Sequence, residues 1–165
     1  NIKDNNIDFN NVNYISKQRY EESPEIMLTE GDVLLTKDGS TLGTVNVVRY
    51  LPREATVNSS IAVLTPSSRI NGIYLYYLIK SDYIQTVIQT KKDGMGVPHL
   101  FQKDIKKFTI LVPPILEQQS IADYLDRKCN KIDDIISIKQ TLIDKLSKYK
   151  KSLIYECVTG KREVV

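Results

Sequence analysis

Two stretches of this chain carry residue types that could do chemistry on a polyanion. The first is Lys91-Lys92-Asp93-Gly94-Met95-Gly96-Val97-Pro98-His99, with Gln102 just beyond it. Adjacent lysines suit phosphate oxygens. His99 and Gln102 offer donors and acceptors to a base edge, and glutamine pairs well with adenine through two hydrogen bonds. Met95 is shaped to wedge against bases, and two glycines leave the loop free to tighten. The plain alternative is a solvated loop with a satisfied histidine. The second stretch is Lys37-Asp38-Gly39-Ser40-Thr41-Leu42-Gly43. Its glycines allow positive φ and close approach of backbone to a ligand. Lys37, Ser40 and Thr41 could then meet a phosphate or a base edge. Taken alone, it reads first as an ordinary hairpin turn.

Catalytic constellations are missing from the sequence. There is one histidine, so neither a histidine pair nor a histidine-rich metal site can form. No HExxH, CxxC, P-loop or GxSxG pattern occurs. Asp133-Asp134 falls in a helical pattern and reads as a solvated face. The chain is therefore expected to bind rather than to catalyse, with no cofactor of its own.

Composition agrees with a binding role. The net charge is only +3 over 165 residues, so charge alone does not announce a nucleic-acid partner. Its distribution says more. Residues 1–35 hold three basic and seven acidic side chains, whereas residues 85–110 hold five lysines against two aspartates. A basic segment on a near-neutral chain suggests one polyanion-facing surface, although solvated lysines would look the same. Cys129 and Cys157 lie far apart in one helical pattern, which fits reduced cytosolic thiols in a packed seam. No apolar run is long enough to cross a membrane as a helix, and no signal peptide is recognisable. A cytoplasmic location is expected. The chain begins at Asn1 rather than Met, as a fragment or a processed chain would.

The elements that must position these residues fall into two parts, 1–114 and 115–165. In the first, Ser16 is placed to cap a helical turn. Val33 to Thr36, Thr44 to Tyr50, Ser60 to Leu64 and Phe108 to Val112 read as strands. Asn71 to Lys80 reads as a helix, and Tyr83, Ile84, Val87 and Ile88 continue its spacing. Tyr74, Tyr76, Tyr77 and Tyr83 fall on that spacing, which favours core packing over base stacking. The expected fold is α+β, with a mostly antiparallel sheet and short helices.

Pro113-Pro114 then closes the body, because neither residue can donate to a ladder. From Glu117 to about Thr159 there is no proline or glycine, and apolar residues recur every three or four positions. Leu125, Ile132, Leu146 and Leu153, with Lys139, make one seam position. Ile135, Leu142 and Tyr149, with Ile121 and Lys128, make the other. Ile136 and Ile143 widen the stripe. Such a helix reads as a spacer or coiled-coil partner. In isolation it is expected to pair with a second copy of itself.

Leu111-Val112-Pro113-Pro114-Ile115-Leu116-Glu117-Gln118, followed by Ile121-Ala122, Ser152-Leu153-Ile154 and Val158-Thr159-Gly160-Lys161, resembles the conserved region of type I restriction-modification specificity subunits. Gly31-Asp32-Val33-Leu34-Leu35-Thr36 with Gly39 and Gly43 is similar to a stretch of that family's target recognition domains. So is Gly96-Val97-Pro98-His99-Leu100 leading to Lys103-Asp104-Ile105. The resemblance covers about residues 28 to 162. It is weaker before residue 28, where the usual opening strands are hard to find, and this suggests truncation.

The resemblance implies a target recognition domain (residues 1–114) and a conserved spacer helix with a short tail (115–165). It implies recognition of one half of a bipartite duplex DNA target and docking of methyltransferase subunits, and through them restriction subunits. S-adenosylmethionine and ATP would belong to those partners, since no Asn-Pro-Pro-Tyr-type adenine pocket is present here. It also turns Lys37, Ser40, Thr41, Lys91, Lys92, Met95, His99 and Gln102 into candidate DNA contacts. Two rivals remain at this point. One is the specificity part of a restriction system with fused cleavage and methylation. The other is a coiled-coil interaction protein whose globular cap binds protein. The bases read are not derivable from the sequence.

Overall fold

The computed structural model describes residues 2, 3, 6–90 and 99–164. Among these, short strands β1 (Ile2–Lys3) and β2 (Asn6–Ile7) pair antiparallel. A three-stranded antiparallel sheet follows, made of β3 (Val33–Thr36), β4 (Val45–Val47) and β5 (Ile61–Leu64), in the order β4-β3-β5. All four residues of the central strand β3 are buried. That is what an unbroken Val-Leu-Leu-Thr run requires: successive side chains point to opposite faces, so both faces must be covered.

Val33 and Leu35 join one core cluster with Val45, Val47, Tyr76, Ile79, Ile84, Ile88 and Leu100. Leu34 points the other way, to Leu28 and Val48, where Leu51, Ala55, Val57 and Val63 pack. The first cluster lies under α2 (Gly72–Lys80) and α3 (Asp82–Gln89). The second lies under irregular chain. The helical spacing from residue 71 onward is thus real but interrupted. Ser81 takes an extended conformation between the two helices, and its hydroxyl donates to Leu78 O at 2.6 Å. Tyr74 and Tyr76 are core residues, whereas Tyr83 is exposed.

Two shorter helices are α1 (Lys17–Glu21) and α4 (Gln102–Ile105). Ser16 caps α1 as its position predicts, with Oγ accepting from Arg19 N at 3.2 Å.

One expected strand is corrected. Phe108 to Val112 does not join a ladder. Phe108 and Ile110 pack on the core, but Leu111 and Val112 are exposed. The Leu111 carbonyl accepts from the Tyr74 hydroxyl at 2.9 Å rather than from a strand. A side chain has taken the place of a backbone partner.

The long helix α5 runs Ile115–Val158, 44 residues. The chain divides into two compact units, Asn1–Ala122 and Asp123–Val165. The first unit therefore continues two turns beyond the double proline.

Candidate nucleic-acid interface

The connection from β3 to β4 is longer than a tight hairpin and is heavily pinned. Thr36 N donates to Thr44 O, and Gly43 N to Thr36 O, both at 2.9 Å. Leu42 N reaches Gly39 O at 3.1 Å, Thr44 N reaches Thr41 O at 3.0 Å, and Lys37 N reaches Ser60 O at 2.8 Å. Leu42 is buried in the core and anchors the loop from inside. Gly43 has φ +91°, and a Cβ there would lie 2.9 Å from Gln85 Oε1. The Gln85 amide in turn donates to Gly43 O and Ile79 O, both at 2.9 Å, tying the loop to the helical layer. The result is a fixed loop with Ser40 and Thr41 exposed and Lys37 half-buried.

A shallow recess of about 200 Å³ lies beside the loop, lined by Leu42, Gly43, Thr44, Val45, Lys80 and Gln85. Lys80 belongs to a basic pair that sequence reasoning missed. Its Nζ lies 5.3 Å from the Tyr76 ring centre and donates to the Tyr76 hydroxyl at 2.9 Å. Arg49 approaches the same ring at 6.0 Å. The two cations stand 31 positions apart in sequence, and only packing around Tyr76 brings them together.

The two sequence candidates meet. Asp38 and His99 form an antiparallel backbone bridge, and Leu100 N donates to Lys37 O at 2.8 Å. The His99 Nδ1 atom is hydrogen-bonded to the Asp38 carboxylate. The His99 ring packs edge-on to Phe101, with centres 4.3 Å apart at 72°. Lys103 Nζ lies 5.0 Å from the Phe101 ring centre. Gln102 is exposed on the first turn of α4. Asp38 and Phe101 were not foreseen as site residues. Phe101 is exposed and directly follows the fully buried Leu100. Lys91, Lys92 and Met95 lie outside the described residues.

The proline-rich motif does something else. Gln118 is fully buried at the start of α5. Its Nε2 donates to Pro113 O at 2.7 Å and to Arg69 O at 2.9 Å, and its Oε1 accepts from Asn71 N at 2.9 Å. Asn71 meanwhile caps α2, accepting from Ile73 N at 2.9 Å and Tyr74 N at 3.0 Å, while its amide reaches Gln119 Oε1 at 2.7 Å. One buried amide side chain thus pairs with three partly buried backbone groups and leaves none of its own hydrogen-bonding atoms unmatched. Burial, and secondarily the charge of Glu117, raises the Tyr74 phenol above its ordinary value.

In the second unit, Ile132, Ile135, Leu142, Leu146 and Tyr149 are exposed, with Leu125 and Leu153 half-buried. Cys129 and Cys157 are free thiols. Beyond the end of α5, Gly160 takes φ +70°, and Arg162 N returns to Glu156 O at 3.1 Å. A hydrogen bond from its guanidinium to Tyr149 raises the pKa of Arg162.

Among the described residues, no group of His, Cys, Asp and Glu could hold a metal ion, and no helix is long and apolar enough to cross a membrane.

A buried three-stranded sheet, a pinned surface loop and a long helix after a double proline define an α+β domain of the specificity-subunit type. Residues 2–151 match the family model of the type I restriction modification DNA specificity domain, and the chain belongs to that family. The type I restriction enzyme MjaVIII specificity subunit of Methanocaldococcus jannaschii is 29% identical over 136 residues, covering 82% of this chain and 30% of that protein. The EcoKI specificity subunit of Escherichia coli (strain K12) is 20% identical over 161 residues, covering 98% of this chain and 35% of that protein. The chain thus spans about a third of the curated relatives it matches. A solved chain from a type I R-M system shares the fold with TM-score 0.66 at 20% identity, over 81% of this chain and 32% of that one. The HsdS subunit from Thermoanaerobacter tengcongensis does so with TM-score 0.56 at 17% identity, over 68% of this chain and 30% of its own.

Proposed function

We propose that this chain is the DNA-recognition part of a type I specificity subunit and reads one half of a bipartite duplex target. Family membership across residues 2–151 is the observation that carries this reading. The geometry supports it. A fixed loop presents Ser40 and Thr41, the Asp38–His99 bridge joins it to the segment bearing Gln102, and Lys80 lines the recess beside it, sharing the Tyr76 ring with Arg49. Phosphate contacts would position the domain, and base-edge contacts would specify sequence. The chain itself would be non-catalytic. Methyltransferase subunits, carrying S-adenosylmethionine, would dock on it and flip the target adenine out of the stack. Restriction subunits would supply the ATP-dependent step. The exposed stripe of α5 would pair with a second helix, from another copy when the chain is isolated. The assembly would work in the cytoplasm.

Sequencing the methylome of the source strain with and without this gene tests the reading. Loss of one adenine-methylated bipartite motif is expected. An unchanged methylome, together with salt-insensitive binding to a protein and no affinity for duplex DNA, would assign the chain to protein–protein interaction instead.

A further inference from the structure

The Asp38–His99 pair does more than tie two segments together. The backbone already does that, through the bridge and the bond from Leu100 N to Lys37 O at 2.8 Å. Leu100, fully buried, anchors the same segment from within. The side-chain bond is additional, and its chemistry is one-sided. An ionised carboxylate only accepts hydrogen bonds, so a His99 ring that meets Asp38 in its neutral form carries its one proton on Nδ1. Its Nε2 is then left as an acceptor. Phe101 packs against the ring edge-on and limits its rotation. The imidazole keeps about a third of its side-chain surface exposed, at 35%. It sits on the strand-like segment paired to Asp38, two residues before the exposed Ser40.

We infer that Asp38 is a specificity-positioning residue: it fixes the His99 tautomer so that Nε2 accepts a hydrogen bond from an amino group on a base edge, adenine N6 or cytosine N4. This rests on the reading of the chain as a DNA-recognition domain. A keto base presents only acceptors at that place in the major groove, so it would face Nε2 lone pair to lone pair.

Two near-isosteric substitutions separate this role from a structural clip. His99→Asn keeps an amide N–H near the Nδ1 position, and so the bond to Asp38, but removes Nε2. Asp38→Asn keeps the shape yet can either accept from or donate to Nδ1, so it releases both tautomers. Full-length subunit, wild-type or variant, would be used to select duplexes from a random-sequence library, with thermal unfolding measured in parallel. His99→Asn should lower base discrimination about tenfold at one base pair and leave the others intact. Asp38→Asn should loosen the amino-against-keto preference at that same base pair. An unchanged motif in both variants would reduce the pair to a clip and overturn the inference. A uniform loss at every position would overturn it too. If His99→Asn fails to fold, the motif of Asp38→Asn decides alone, with the same two outcomes. A wild-type subunit that enriches no motif would instead remove the DNA-recognition reading, and this inference with it.

Discussion

Gly39–Gly43 and Pro113–Gln118 are both short motifs set by residues of unusual backbone freedom, permissive glycines in the first and restrictive prolines in the second, yet they use their polar side chains oppositely. The first pins its backbone so that Ser40 and Thr41 stand in solvent. The second draws its polar side chain inside, where Gln118 spends its amide on Arg69, Asn71 and Pro113. A recurring motif is therefore no guide to a binding surface by itself. What distinguishes the two is whether the polar groups are already satisfied. Gln118 has both its donors committed and no exposed surface; Ser40 and Thr41 keep theirs accessible.

Substitutions can break this contrast, and the largest effect is expected at the buried end. Gln118→Glu replaces two donated hydrogen bonds with a carboxylate facing the carbonyls of Arg69 and Pro113. Chemical denaturation should show a loss of about 3 kcal/mol or more. A loss below about 0.5 kcal/mol would mean that the clip is not a structural element. Gly72→Ala tests the same corner through the backbone. Its Cβ would sit 2.4 Å from the Gly31 carbonyl oxygen. The start of α2, which carries Asn71 as its cap, would have to shift, at a cost of about 1–3 kcal/mol in the same measurement.

Ser40→Ala with Thr41→Ala addresses the exposed end. Stability should move by less than about 0.5 kcal/mol, while selection from random duplexes should show weakened discrimination at one or two base pairs. A large stability loss with an intact motif would invert the comparison. The smallest expected effect is on pH dependence. The Tyr74 phenol is raised on folding, so the unfolded chain gives up that proton first. Its contribution is complete below the ordinary phenol value of about 10 and is lost as pH rises from there through the raised value of the folded state. Tyr74→Phe should flatten that alkaline decline in unfolding midpoints, because the buried titrating phenol is then gone.

Much of the fold was legible from residue pattern alone. Val33–Thr36 had to be doubly buried, and Ser16 had to cap. The proline-free stretch after Glu117 had to be one helix. The misread strand has a clear cause. Phe108 to Val112 has strand composition, but its carbonyl at Leu111 found the Tyr74 hydroxyl, 37 positions away. The helix read at Asn71 to Lys80 is α2, and the spacing carried on by Tyr83 to Ile88 is α3; what periodicity does not register is the break between them at Ser81, whose hydroxyl bonds Leu78 O. In the candidate site, Ser40, Thr41, His99 and Gln102 were chosen by residue type. Asp38 and Arg49 were not, because their partners, His99 and the Tyr76 ring, are distant in sequence; Phe101 and Lys80 were not either, although their ring contacts lie only two to four positions away.

The sequence by itself determined the three strands of the central sheet, the long helix, the family resemblance and the two candidate stretches, since these follow from local spacing and residue chemistry. Tertiary structure alone decided that Asp38 meets His99, that Lys80 and Arg49 share Tyr76, and that Gln118 turns inward. Each of those depends on which distant groups packing brings within hydrogen-bond or van der Waals reach. Linear spacing carries no record of that distance.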